Sequence, residues 1–102
     1  MSDFDYSQFD AFLNSRVRLA VMATLSSVEE AEFIFLCERI GATDSDHLGK
    51  HLRELEDAGY IAVEKTFERR KPVSRYSLTQ KGREAFSVYR ERMEQLIREL
   101  DV

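Results

Sequence analysis

The stretch Leu48-Gly49-Lys50-His51-Leu52-Arg53-Glu54-Leu55-Glu56-Asp57-Ala58-Gly59-Tyr60-Ile61 changes its hydrophobic period at a glycine. Leu48, Leu52 and Leu55 recur at i, i+4 and i+7, which is one face of an α-helix. Gly59 stands where a helix C-cap belongs. Beyond it, Tyr60, Ala62, Glu64, Thr66 and Glu68 alternate with Ile61, Val63, Lys65 and Phe67. A two-residue period rich in β-branched and aromatic residues predicts a strand. Helix, glycine joint and strand form the centre from which the rest of the chain is read.

Working upstream, Thr43-Asp44-Ser45-Asp46 is a dense N-cap signal with an acid three residues after the threonine, so Thr43 or Asp44 starts this helix, which ends near Ala58. Phe33, Leu36, Cys37 and Ile40 keep helical spacing before Gly41, a second C-cap position, and predict a helix of about two turns. Residues 31–33 have room for a very short strand. Val17, Val21 and Leu25 lie four apart on a helix over residues 16–25, with Ser15 as its N-cap and Ser26-Ser27 at its end. Residues 4–13 carry Phe4, Tyr6, Phe9, Phe12 and Leu13, and the i, i+3, i+4 spacing of the last three predicts a short helix.

Downstream, Arg70-Lys71-Pro72 is expected to break the strand, and residues 74–78 supply its partner. The result is a β-hairpin with a charged tip. Thr79 caps a last helix over residues 80–100, where Phe86, Tyr89, Met93, Leu96 and Leu100 fall at 3-4-3-4 spacing. That is a heptad seam of about two repeats.

The 102 residues amount to one domain, of which 43% are hydrophobic and 33% charged, an ordinary soluble balance. No apolar run reaches the roughly 20 residues that span a bilayer. Residues 1–10 are acidic and mixed, unlike a signal peptide. The single cysteine, Cys37, excludes an internal disulfide and fits a reducing compartment, so a cytoplasmic location is expected. Neither GxSxG, HExxH, a P-loop nor a Gly-rich nucleotide fingerprint occurs, so no enzyme activity and no cofactor are expected. His47 and His51 share a helical face at i, i+4, but with Cys37 they make too poor a ligand set for a metal site, and no metal is expected.

Two short helices joined by a tight Gly-containing turn, followed at once by a basic-tipped hairpin, follow helix-turn-helix logic. One helix braces, and the next lies in the major groove with its N-terminal side chains at the base edges. The residues from Leu48 to Ile61 quoted above resemble the third-helix signature of winged-helix regulators. Tyr76-Ser77-Leu78-Thr79-Gln80-Lys81-Gly82 resembles their joint between strand and last helix, and Arg18-Leu19 through Leu25 resembles their early helix. The nearest group is the stand-alone regulators related to the MarR and ArsR families, and the resemblance covers roughly residues 15–87. Between Gly41 and Leu48 this chain is one residue longer than that pattern.

The fold expected is therefore mainly α with a small β-hairpin (α+β): a winged helix-turn-helix with a long C-terminal dimerisation helix. It is one domain over 1–102, with an N-terminal dimerisation helix at 1–14, a core at 15–78 and the C-terminal helix at 79–102. The resemblance implies a sequence-specific transcriptional regulator, a repressor rather than an activator, that binds an inverted-repeat operator in double-stranded DNA.

The net charge of −4 opposes this reading unless positive charge is local. Residues 43–58 carry two Lys/Arg against five Asp/Glu, although Lys50 and Arg53 flank the groove-facing surface. Ser45, Asp46, His47 and Gly49 complete the candidates for base contact. Gly49 costs the helix about 1 kcal/mol relative to Ala, which close approach to DNA or to another helix would explain. Residues 64–75 carry five Lys/Arg and two acids. There Arg69, Arg70, Lys71 and Arg75 are the candidates for phosphate contact.

The seam of the last helix, Phe86, Tyr89, Met93, Leu96, Ile97 and Leu100, and the N-terminal Phe4, Tyr6, Phe9 and Phe12 hold more apolar surface than one small core uses. Pairing them across a two-fold axis predicts a homodimer with recognition helices about 34 Å apart. An unidentified small-molecule effector is left open, lined by Tyr89 and the N-terminal aromatics. The rival reading is a winged-helix protein-interaction module without DNA binding, which the acidic total suits.

Overall fold

A computed structural model of the chain describes residues 10–41 and 45–100, with the backbone alone for Ser45 and Asp46. The element order is α1 (Arg16–Ser26), β1 (Ala31–Glu32), α2 (Phe33–Ile40), α3 (Ser45–Asp57), β2 (Ile61–Glu68), β3 (Lys71–Leu78) and α4 (Gln80–Leu100). Phe4, Tyr6 and Phe9, and the Thr43 or Asp44 cap, lie outside the described residues. The described part of the expected N-terminal helix, around Ala11 to Leu13, is a turn. The Asn14 N–H donates to the Asp10 carbonyl at 3.1 Å, and the chain leaves it at Ser15.

Ser15 caps α1: its Oγ accepts from the Arg18 N–H at 3.4 Å. α1 buries Val21, Met22 and Leu25, whereas Val17 only flanks the core. α2 contributes Leu36 and Ile40 and ends at Gly41, whose φ of 71° is the left-handed conformation a side chain resists. α3 inserts Leu48, Leu52 and Leu55, all essentially inaccessible to water. Ile61 of β2, Ala31 of β1, Leu13 and Tyr89 of α4 close the same core. Three short helices thus share one apolar centre, against one face of a three-stranded antiparallel sheet of order β1-β3-β2.

The hairpin differs from expectation at one end. β3 begins at Lys71 rather than Ser74, and Pro72 lies inside it, opposite Phe67. The register explains why proline is tolerated. Glu68 and Lys71 close a two-residue loop, so they form the hydrogen-bonded pair and Phe67–Pro72 the next, non-hydrogen-bonded one. The N–H that proline lacks would point away from β2. The short β1 reaches only Tyr76 and Arg75, so it needs no donor from position 72 either.

α4 is anchored at a joint whose residues the sequence marked. Thr79 Oγ1 donates to the Gly59 carbonyl at 2.6 Å and accepts from the Gly82 N–H at 3.0 Å. The Thr79 N–H donates to the Tyr60 carbonyl at 3.1 Å, and Lys81 Nζ to the Ala58 carbonyl at 2.9 Å. A β-carbon on Gly82 would stand 2.0 Å from the Tyr60 carbonyl oxygen. The start of α4 therefore rests directly on the α3–β2 turn, which holds the hairpin at a set angle to α3.

Candidate nucleic-acid interface

α3 is held by a single arginine of α1. Arg18 Nε donates to His51 Nδ1 at 2.9 Å, its Nη1 donates to the Phe12 carbonyl at 3.0 Å, and its Nη2 pairs with Glu54. The guanidinium also lies 4.1 Å above the Phe12 ring. This removes Glu54 from the acids facing outward on α3. It also fixes His51 with its Nδ1 as an acceptor, so the ring is held neutral. Desolvation, then the charges of Arg18, His47 and Lys50, pushes the His51 pKa below its usual 6.5. His47 and His51 approach edge-to-face, with Nε2 atoms 3.2 Å apart. Among the described residues no three His, Cys, Asp or Glu side chains gather as a metal site.

The outward surface of α3 faces a groove of ≈ 440 Å³ between it and the inner face of the sheet. Gly49, Arg53 and Glu56 of α3 line one side, and Val63, Lys65, Ser74 and Tyr76 of the hairpin line the other. Lys50, Arg53 and Lys65 are exposed, and His47 is exposed at the N-terminal end of the helix. Gly49 is half-buried. A β-carbon there would meet only the end of the Arg53 side chain, at an ordinary 3.6 Å. Among the described residues, nothing in the fold requires a glycine at this position.

The hairpin tip is Arg69-Arg70, with φ of 53° and 64°. Both residues take the left-handed region that a two-residue hairpin loop demands and that Asn-Gly ordinarily fills. Two arginines here are locally unfavourable, and strain of this kind collects at functional sites. Arg69, Arg70 and Lys71 are exposed and form no ion pair among the described residues.

Arg75 stands apart from this group. It lies opposite Glu64 in β2, four residues from the closing pair, and is held by Glu68 at 2.6 Å, Glu32 at 3.3 Å and Glu30 at 3.6 Å. The bond to Glu68 is the main reason its pKa is raised above the usual guanidinium value. Arg75 knits β1 to the hairpin, with its charge already matched.

The residues expected at a dimer interface divide as well. Tyr89 is buried within the chain, and its hydroxyl donates to Asn14 Oδ1 at 3.0 Å. Phe12 packs edge-on against Tyr60 at 5.8 Å. Phe86 and Met93 flank the core. Leu96 is half-buried, and Val88, Ile97 and Leu100 are exposed. Among the described residues of this set, the exposed ones are on α4. Tyr89 does border a cavity of ≈ 320 Å³, shared with Asp10, Tyr60, Lys81 and Val88. Among the described residues no helix is long and apolar enough to cross a membrane.

Sequence reasoning did not single out Arg18 as the brace or Lys65 as part of the groove. The strand period put Lys65 on the same face as Val63, a sign that this face leaves the core before the tip. Nothing local marks Arg18, whose partners His51 and Glu54 lie more than thirty residues away.

Residues 17–97 match the sequence pattern of the family described as winged helix DNA-binding domain. An uncharacterized protein of Methanocaldococcus jannaschii is 36% identical over 76 residues, covering 74% of this chain and 82% of that protein. Among solved structures, a transcriptional regulator homologue from Pyrococcus horikoshii superposes with a TM-score of 0.81 at 26% identity, covering 89% of each chain. A PadR family transcriptional regulator from Eggerthella lenta superposes at 0.70 with 22% identity, covering 84% of this chain and 81% of its own, a likeness of fold.

Proposed function

The chain belongs to the winged helix DNA-binding domain family, and from that premise we propose that it is a transcriptional regulator whose α3 and hairpin grip one half-site of a palindromic operator. The observation that carries this reading is the distribution of positive charge that forms no ion pair among the described residues. Arg53 on α3 and Lys65 on the hairpin wall line one groove, Lys50 is exposed on the same helix, and Arg69, Arg70 and Lys71 are exposed at the tip of the same hairpin. The acids that make the chain negative overall are in part turned elsewhere: Glu54 toward Arg18, and Glu30, Glu32 and Glu68 toward Arg75. A helix suits the major groove, and cations beyond it suit the neighbouring phosphates. Ser45, Asp46, His47 and Gly49 lie along the N-terminal half of α3, where base edges are met. Arg75 serves by holding the sheet rather than by touching phosphate.

In this proposal the protein acts in the cytoplasm as a homodimer, with α4 and the N-terminal segment as the shared surface, and it represses by occupying the promoter. Ile97 and Leu100 are the exposed apolar residues that a partner helix would cover.

The test is selection from a random duplex pool, with affinity then followed as salt rises and the mass of the free protein measured by sedimentation. A dimer that enriches an inverted repeat and weakens steeply with salt is the expected result. A folded protein that binds no duplex at low salt overturns the reading and points to a protein partner for the same groove.

A further inference from the structure

Among the described residues Phe67 is the most exposed large hydrophobic side chain, at 79%. It lies directly opposite Pro72, also exposed, in the last strand pair before the closing pair of the tip. The alternation of the hairpin puts both on the face that carries Val63, Lys65, Ser74 and Tyr76, the wall of the α3 groove. Phe67 and Pro72 thus extend that wall past the end of the core as a small apolar ridge. Lys65 lies behind the ridge on the same face, Arg69 and Arg70 lie in front of it at the tip, and Lys71 belongs to the opposite face. A lone exposed phenylalanine is ordinary on a protein surface. A phenylalanine paired across the strands with a proline, between Lys65 on the same face and Arg69-Arg70 at the tip, none of which forms an ion pair among the described residues, has a more specific chemistry.

We infer that Phe67 and Pro72 form an apolar wedge that enters the minor groove beside the sequence read by α3. This rests on the DNA-binding reading above and names a contact that reading does not contain. The surrounding cations select a polyanion. The apolar ridge selects the part of that polyanion that is not phosphate, namely deoxyribose and the edges of the base steps. Apolar side chains placed among Lys and Arg meet the minor groove in this way, and they favour steps that unstack easily. Pyrimidine–purine steps such as TA deform most readily, and an A·T floor lacks the guanine amino group that would obstruct the ring. The expected outcome is a preference for A·T-rich flanks outside the bases that α3 contacts.

The experiment compares the wild-type protein with Phe67→Ser and Phe67→Leu on the selected duplex and on duplexes with G·C flanks. Thermal melting checks that each variant folds, which the exposure of position 67 favours. Phe67→Ser should bind the A·T-flanked duplex at least about tenfold more weakly, with an unchanged salt slope because no charge is removed. It should also lose the flank preference, and Phe67→Leu should keep most of it. If wild type binds DNA while Phe67→Ser matches it in affinity and flank preference, the wedge is wrong and the DNA-binding reading stands. If wild type binds no duplex, both fall together.

Discussion

Two glycines sit inside helices of this protein, and they are there for different reasons. Gly82, in the first turn of α4, is buried against the α3–β2 turn, and a β-carbon there would strike the Tyr60 carbonyl at 2.0 Å. Gly49, in α3, faces the groove, and among the described residues a β-carbon there would meet nothing closer than the flexible end of Arg53 at 3.6 Å. The fold requires the first. Among the described residues nothing requires the second, which weakens its own helix by about 1 kcal/mol relative to alanine. A residue that the interior explains belongs to stability. A residue that costs stability without an interior reason is a candidate for function.

Substitution at the two positions should separate these roles, and Gly82→Ala is the larger effect. The methyl group has backbone rather than a side chain to displace, so the joint must open. A loss of about 3 kcal/mol or more is expected, read as a collapse of the thermal transition. A variant that melts like wild type would show that the joint is not as tight as the 2.0 Å approach implies.

Next comes the tip, where the same contrast holds between matched and unmatched charge. Replacing Arg69, Arg70 and Lys71 together by Ala should leave the melting temperature close to that of wild type or raise it slightly, because these residues form no ion pair among the described residues. DNA affinity should fall by about a hundredfold or more at low salt, and the slope of log affinity against log salt should flatten by roughly three contacts' worth. Arg75→Ala should do the reverse, lowering stability with little change in that slope. Equal slopes for the triple variant and wild type would remove the tip from the interface.

Gly49→Ala is the smaller and sharper test. The variant should be more stable by about 1 kcal/mol, or roughly 4–8 °C in melting temperature, and should bind the selected duplex at least about tenfold more weakly. A gain of stability with full affinity would mean that DNA does not approach α3 at this point.

The smallest effect concerns the brace. His51 accepts a hydrogen bond from Arg18, and its folded pKa is depressed. The unfolded chain therefore takes up a proton near pH 6.5 while the folded one resists it. Stability should be fully retained above about pH 6.5 and should decline as pH falls from there toward the lower folded pKa. Comparing melting temperatures at about pH 7.5 and about pH 5.5, His51→Gln, which can still accept from Arg18, should lose less than wild type. An identical loss would place the sensitivity elsewhere.

Much of this molecule was legible in order of residues alone. Leu48, Leu52 and Leu55 marked α3, the alternation after Gly59 marked β2, and Ser15, Gly41 and Gly59 marked ends. Each of these signals is local, because capping, helical period and strand period act within a few residues. The extent of β3 was misread for a local reason as well. Pro72 is a strand breaker in general, and only its place opposite Phe67 shows that its missing N–H falls on the unpaired side.

Sequence by itself determined the kind and order of the elements, the apolar face of each, and the excess of positive charge in the hairpin. Tertiary structure alone decided which charges were left over. Arg75 was one cation among five until the sheet brought Glu30, Glu32 and Glu68 around it, and Glu54 was one acid among several until Arg18 reached it from α1. The same holds for Tyr89, whose spacing fits a seam and whose hydroxyl is bound to Asn14 inside the chain. Spacing along a helix tells which side chains share a face. It cannot tell what stands opposite that face, because most of the partners are distant in sequence and meet only when the core closes.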